Sequence, residues 1–235
     1  LKWDSNLKNY PVLAKYLKSF ETKLRKRDGV KEDGLCPWFA LSRPRPEAEK
    51  LFIAPKIVFP DISKESRFAI DATGFFPDAT GFIIGAEDWF LLAVLNSSTA
   101  WQFFKEECAA LGDRDDGGRL RLKLQYVEKL PIPNASAADR ESIGELAKKV
   151  QALHGQRRKR VERFLGDLGL DPAQSTSRNP LEQPWNLSAA EFAKRAKRQP
   201  VKFHESARAE TATLTEQIAK LESEIDARVA TLYGL

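Results

Sequence analysis

Between Trp89 and Gln125 the spacing of the apolar residues changes, and no single kind of secondary structure serves both halves of the stretch. Leu92, Leu95, Thr99 and Phe103 follow one another at steps of three or four, the period of a helix with one face turned to a core. Asn96-Ser97-Ser98 interrupts that run and supplies side chains able to cap a second helical segment. After Gly117-Gly118 the period becomes two. Leu120, Leu122 and Leu124 alternate with Arg119, Arg121, Lys123 and Gln125, which predicts a half-buried strand over residues 119–125. One face of that strand is leucine. The other is cationic and amide-bearing, and suits an anionic partner with hydrogen-bonding edges.

Upstream, Val12, Leu13, Tyr16, Leu17, Phe20 and Leu24 form the apolar stripe of one amphipathic helix over residues 10–27. Pro11 suits its first turn and Asp28-Gly29 its end. Lys15, Lys18, Lys23, Arg25, Lys26 and Arg27 load the other side with positive charge, either as a solvated surface or as a phosphate contact. A Pro- and Gly-rich loop over residues 33–49 carries Trp38-Phe39 and then Ser42-Arg43-Pro44-Arg45-Pro46. Three strand-like runs, 51–59, 67–71 and 81–84, are separated by turn signals at Pro60-Asp61, Thr73-Gly74 and Thr80-Gly81. Together with residues 119–125 they predict one small, twisted, mixed sheet, covered on one face by the helical region of residues 89–104. The class is α+β.

From Asp139 the character changes again. Ile143, Leu146, Val150 and Leu153, then Val161, Phe164 and Leu168, step like a coiled-coil seam around the run Gln156-Arg157-Arg158-Lys159-Arg160. Gly169 and Pro172 stop the helix. A connector over residues 172–200 carries one short helix announced by the capping box Ser188-Ala-Ala-Glu191. A last helix over residues 203–233 has Leu214, Ile218, Leu221, Ile225, Val229 and Leu232 in its seam. Two helices of about 30 residues are each about 45 Å long, and the connector lets them return as an antiparallel pair. The expected division is a recognition-sized α/β part over residues 1–135 and a helical part over residues 136–235.

The composition narrows the class. Hydrophobic residues at 42% and aromatics at 10% support a real core. A formal charge of +5 favours nucleic acid over an acidic-patch partner. Cys36 and Cys108 are isolated, so neither a disulfide framework nor a zinc site is expected, and a reducing cytoplasm fits. No run approaches a membrane span and no signal peptide opens the chain. The absence of Met, even at position 1, reads as a fragment of a longer protein. Asp113, Asp115 and Asp116 lack the Gly and terminal Glu of a calcium loop and are expected in a solvated turn. His154 and His204 are expected to be solvated on polar helix faces.

Leu92-Ala-Val-Leu-Asn-Ser-Ser98, the aromatic-rich helix after it, and a Gly-Gly-Arg strand closed by Leu130-Pro-Ile-Pro133 resemble the C-terminal target-recognition domain of restriction–modification enzymes. The nearest group is the single-chain, Type IIG-like adenine-specific DNA methyltransferases. Lys50 to Lys64 resembles the strand that opens that domain, and Glu224 to Leu235 the end of its last helix. The resemblance implies a parent protein that uses S-adenosylmethionine, an N-terminal methyltransferase domain on the same parent chain, and double-stranded DNA as partner. The family's Gly-rich cofactor loop and its Asn-Pro-Pro-aromatic motif do not occur here, and Pro60-Asp61 has no Glu-x-Lys to complete a nuclease site. No catalytic residue and no metal ligand is therefore assigned.

What the resemblance leaves to this chain is binding. Arg43, Arg45, Lys64, Arg67, Arg119, Arg121, Lys123 and Gln125 are the candidate readers of base edges, since Gln pairs with adenine and Arg or Lys with guanine. Arg157 and Arg158 are the candidate phosphate contacts. The alternative is a helical protein-interaction module of a phage-defence or other multidomain complex, with the basic charge serving only solubility.

Overall fold

The computed structural model describes residues 7–27, 30, 37–40, 49–113, 118–176, 178–196 and 201–235. Packing divides the chain into two units, one running from the N-terminus to Pro55 with Ala72–Phe76, the other comprising Lys56–Asp71 and Pro77–Leu235. In the first unit the expected single helix is broken into α1 (Pro11–Lys18) and α2 (Glu21–Leu24). Ser19 ends α1, with both its N–H and its hydroxyl donating to the Tyr16 carbonyl. Pro11 stands at the start of α1 as expected, but no residue of either helix is buried. Arg27 donates to the carbonyls of Trp38 and Ala40, at 2.9 and 2.7 Å, and Arg25 lies over the Trp38 ring. Asp28-Gly29 and Cys36 lie outside the described residues.

Leu51-Phe52-Ile53 is helical rather than extended, forming α3 (Glu49–Ile53). A three-residue apolar run carries no period of its own, and Pro55 keeps Ala54 out of the helical region, so the strand starts only after it.

The second unit holds the strands. β1 (Lys56–Pro60) pairs antiparallel with both β3 (Ala69–Asp71) and β4 (Gly81–Ile84). β2 (Ile62–Ser63) and β5 (Ala110–Leu111) both pair antiparallel with β6 (Arg119–Arg121). The class is α+β, but among the described residues the single mixed sheet expected is two antiparallel three-stranded sheets, ordered β3-β1-β4 and β2-β6-β5. The change of sheet happens at Asp61. Its N–H donates to Thr80 O at 2.8 Å beside the first sheet, and its carbonyl accepts from Leu122 N at 2.7 Å beside the second. β6 is also shorter than the alternation predicts. Leu120 and Leu122 are buried, but Leu124 is exposed and begins α6 (Leu124–Val127), whose inward residue is Val127, followed by Leu130 in the same core.

α4 (Trp89–Asn96) and α5 (Ser98–Glu107) cover the strands, and the break between them falls where the sequence puts it. Ser97 caps α5, its hydroxyl oxygen accepting from Ala100 N. Asn96 has a different task. Its amide accepts from Phe68 N at 3.0 Å and donates to Phe68 O at 2.9 Å. Gln151 does the same for Ile70, at 2.8 and 2.9 Å. Among the described residues β3 has a strand on one side only, so these two amides occupy the hydrogen-bonding positions a further strand would fill.

α7 (Ala137–Asp167), α8 (Ala189–Arg195) and α9 (Val201–Tyr233) complete the unit. Ser142 with Arg228, His154 with Glu222, Arg157 with Thr215 and Arg160 with Glu210 pair in reverse order along α7 and α9, which are therefore antiparallel. Their seams are buried at Ile143, Leu146, Ile218, Ile225 and Val229. Gly144 permits the close approach of α7 to α4, since a Cβ there would stand 3.3 Å from that of Trp89. The main core joins Ile57, Phe59, Phe68 and Ile70 to Phe90, Leu95, Phe104, Leu122, Ile143 and Val229, so it continues across residue 135 without a break. A second cluster gathers Val161, Phe164 and Leu165 with Leu181, Leu187 and Phe192 at the far end of the helices.

His204 belongs with that second cluster and not with solvent. It is 1% exposed, stacks on Phe192 at 4.9 Å and donates from Nε2 to Leu187 O. The reason is register: His204, Thr211, Ile218 and Ile225 follow at sevens on one face of α9, and all four are buried.

Candidate nucleic-acid interface

The alternation in β6 sorts its side chains as expected, with Leu120 inward and Arg119 and Arg121 on the opposite face. Cross-strand pairing adds to that outer face. Arg121 faces Ile62 on β2, and Arg119 faces Leu111 on β5. Both aliphatic partners are exposed, so two arginines and two apolar side chains share one outward surface. Along a strand, residues two apart stand about 7 Å from each other, which is two steps of a base stack. The surface thus combines donors for guanine with apolar groups of the kind that contact a thymine methyl.

Arg121 is held in place. Its NH2 donates to Asp61 Oδ2 at 3.0 Å, with the Arg121 side chain 40% exposed and that of Asp61 only 15%. Asp61 Oδ1 and Arg121 Nε are both buried without a hydrogen-bond partner. Asp61 is the residue of this surface that sequence reasoning missed. Pro60-Asp61 is legible as a turn, but nothing local ties an acid to an arginine sixty positions on.

The remaining candidates are dispersed. Lys64 is exposed just after β2, and Arg67 is paired with Glu65 through its Nε and NH2 at 2.8 and 2.6 Å. Lys123 is half-buried as the residue preceding α6, and Gln125 is exposed on α6 rather than aligned with Arg121 along a strand. Arg43, Arg45, Asp115 and Asp116 lie outside the described residues. Asp113 accepts from Gly118 N at 2.7 Å, and a Cβ on Gly118 would meet that carbonyl oxygen at 2.0 Å, so only glycine fits there.

Arg157 and Arg158 make internal contacts. Arg157 lies over the Trp185 ring at 4.4 Å and donates to Thr215 Oγ1 at 2.9 Å and to His154 Nδ1 at 3.1 Å. Burial holds its guanidinium below the ordinary arginine value, against the opposing pull of Glu222. Arg158 joins Glu162 on its own helix to Glu182 in the connector. Phosphate contact by either residue would compete with these partners. Among the described residues no group of three or more His, Cys, Asp or Glu stands together as a metal site, and no described helix is long and apolar enough to cross a membrane.

Residues 5–132, more than half of the chain, match the model of the TaqI-like C-terminal specificity domain. A Type II methyltransferase, M.PaeR7I of Pseudomonas aeruginosa, is 28% identical over 131 residues, which are 54% of this chain and 22% of that protein. The matched part is thus under a quarter of the relative's length, and α7 to α9 lie beyond the stretch matched by the family model. Over the residues that carry β1 to β6 and the arginine face, this chain belongs to the family of TaqI-like C-terminal specificity domains.

Proposed function

We propose that this chain is the DNA-recognition module of a larger restriction–modification protein, and that it directs adenine methylation to a target site. The observation that carries the proposal is the family match over residues 5–132, the stretch that contains the paired arginines of β6. In this reading the partner is double-stranded DNA, and an N-terminal methyltransferase domain of the same parent works in the cytoplasm. S-adenosylmethionine belongs to that other domain, because the Gly-rich loop and the Asn-Pro-Pro-aromatic motif that would hold cofactor and adenine do not occur in this sequence. The chain's own contribution is placement: cations anchor the duplex, and donors on the sheet face sample base edges.

The test is a titration of fluorescent duplexes with the 235-residue chain at two salt concentrations. Binding should weaken as salt rises, with a logarithmic slope of roughly 0.9 per phosphate contact. A duplex carrying the parent's methylation site should compete better than a scrambled one. Binding that ignores both salt and sequence would overturn the reading and favour a protein-interaction role for α7 and α9. The chain alone, given labelled S-adenosylmethionine or magnesium, should neither methylate nor cut.

A further inference from the structure

The geometry points to Asp61 as the residue that sets specificity, by presenting the outer edge of Arg121 to a guanine. This rests on the reading of the chain as a DNA-recognition module, and deepens it to one pair of residues and one base. Arginine recognises guanine with two parallel N–H groups aimed at O6 and N7, and the discrimination depends on holding the guanidinium plane still. An arginine on a surface strand ordinarily loses that advantage to side-chain entropy. Arg121 does not move freely, because a carboxylate 3.0 Å from its NH2 holds one edge.

Three observations make Asp61 a positioning residue for a reader rather than another exposed ion pair. First, its own backbone is fixed on both sides, by Thr80 O beside one sheet and Leu122 N beside the other, so the carboxylate is aimed by the fold. Second, Arg121 Nε is buried, so the inner edge of the guanidinium faces protein and the 40% of the side chain still exposed lies toward its outer end. That outer edge carries NH1 and the second NH2 hydrogen, the pair that guanine takes. Third, the contact is one hydrogen bond short of complete. Asp61 Oδ1 and Arg121 Nε are both buried and unsatisfied, each at the desolvation cost of an unpaired polar group. A small rotation that brings Nε–H to Oδ1 satisfies both atoms and squares the guanidinium to the sheet face. Docking of a guanine edge against NH1 and NH2 favours the same rotation, so the closed pair and the bound base stabilise each other. Asp61 itself is shielded from phosphate, since its side chain is only 15% exposed.

The test is selection of binding sites from a random duplex pool by the wild-type chain, Arg121→Lys and Asp61→Asn, with non-specific affinity measured in parallel. Wild type should enrich a motif with one guanine preferred on the order of tenfold to a hundredfold. Arg121→Lys keeps the charge but not the rigid fork of two parallel N–H groups, and should weaken the preference at that position alone. Asp61→Asn removes a negative charge, and should relax the same position while binding arbitrary duplex as well as wild type or better. A tie between sheets would behave otherwise, with affinity falling for every duplex together. If all positions weaken alike, or if the guanine preference survives Asp61→Asn, the assignment is overturned while DNA recognition stands. If Asp61→Asn does not fold by circular dichroism, Asp61→Glu, which keeps the charge but moves the carboxylate, takes its place, and an unchanged guanine preference then overturns the assignment. A wild-type chain that enriches no motif overturns the DNA-recognition reading itself.

Discussion

Lys56 lies at zero exposure with Nζ 2.6 Å from Asp71 Oδ2, across the β1–β3 pairing that sets these two residues opposite each other. A buried ammonium is costly, and Asp71 supplies a counter-charge to it. Asp71→Ala should therefore destabilise the protein in urea denaturation. Replacing both residues with apolar ones, Lys56→Met with Asp71→Leu, should cost less, because the buried ammonium is then gone as well. If the single and double variants melt alike, the pair is not what burial makes it. Asn96, Ser97 and Ser98 divide the work at the same scale. Asn96 closes the edge of β3, Ser97 caps α5, and the Ser98 N–H donates to Asp226 at 2.8 Å.

Among the elements, α8 has a cap whose charge can be followed. Ser188 and Glu191 form a complete capping box, and the Ser188 hydroxyl and N–H hold the Glu191 carboxyl below its ordinary value. A depressed carboxyl stabilises the fold fully above the ordinary glutamate range, and that contribution is lost as pH falls through the lowered value. Ser188→Ala should return the Glu191 titration toward the ordinary value and lower the helicity of α8, both readable by carbon-detected NMR. That box was legible because capping is local, and so was the arginine face, since alternation fixes which side of β6 each residue takes. Features joining distant residues were not. Asn96 with Phe68, Gln151 with Ile70 and Asp61 with Arg121 leave no periodic trace. His204 and Thr211 did leave one, the seven-residue step to Ile218, but their polarity concealed that they extend the seam. Leu51 to Ile53 and Leu124 were misassigned because runs this short fit strand and helix equally.

Across the whole molecule the antiparallel helices are part of the core beneath the sheets, as Val229 shows by lying at zero exposure in the same cluster as Ile57 and Phe104. Val229→Asp strands a charge there and should cost about 4 kcal/mol or more, with the sheets and α9 lost in one cooperative thermal transition. Separate transitions would mean that the helices fold apart. The amides of Asn96 and Gln151 carry the same dependence into biosynthesis. A ribosome delivers β3 some eighty residues before Gln151 arrives to close the edge at Ile70, so the nascent sheet stands open to pairing with other chains throughout that interval. A chain terminated at residue 135 would remain in that condition permanently. Its first failure should be association along β3, visible in light scattering, and it should be relieved by supplying residues 136–235 in trans.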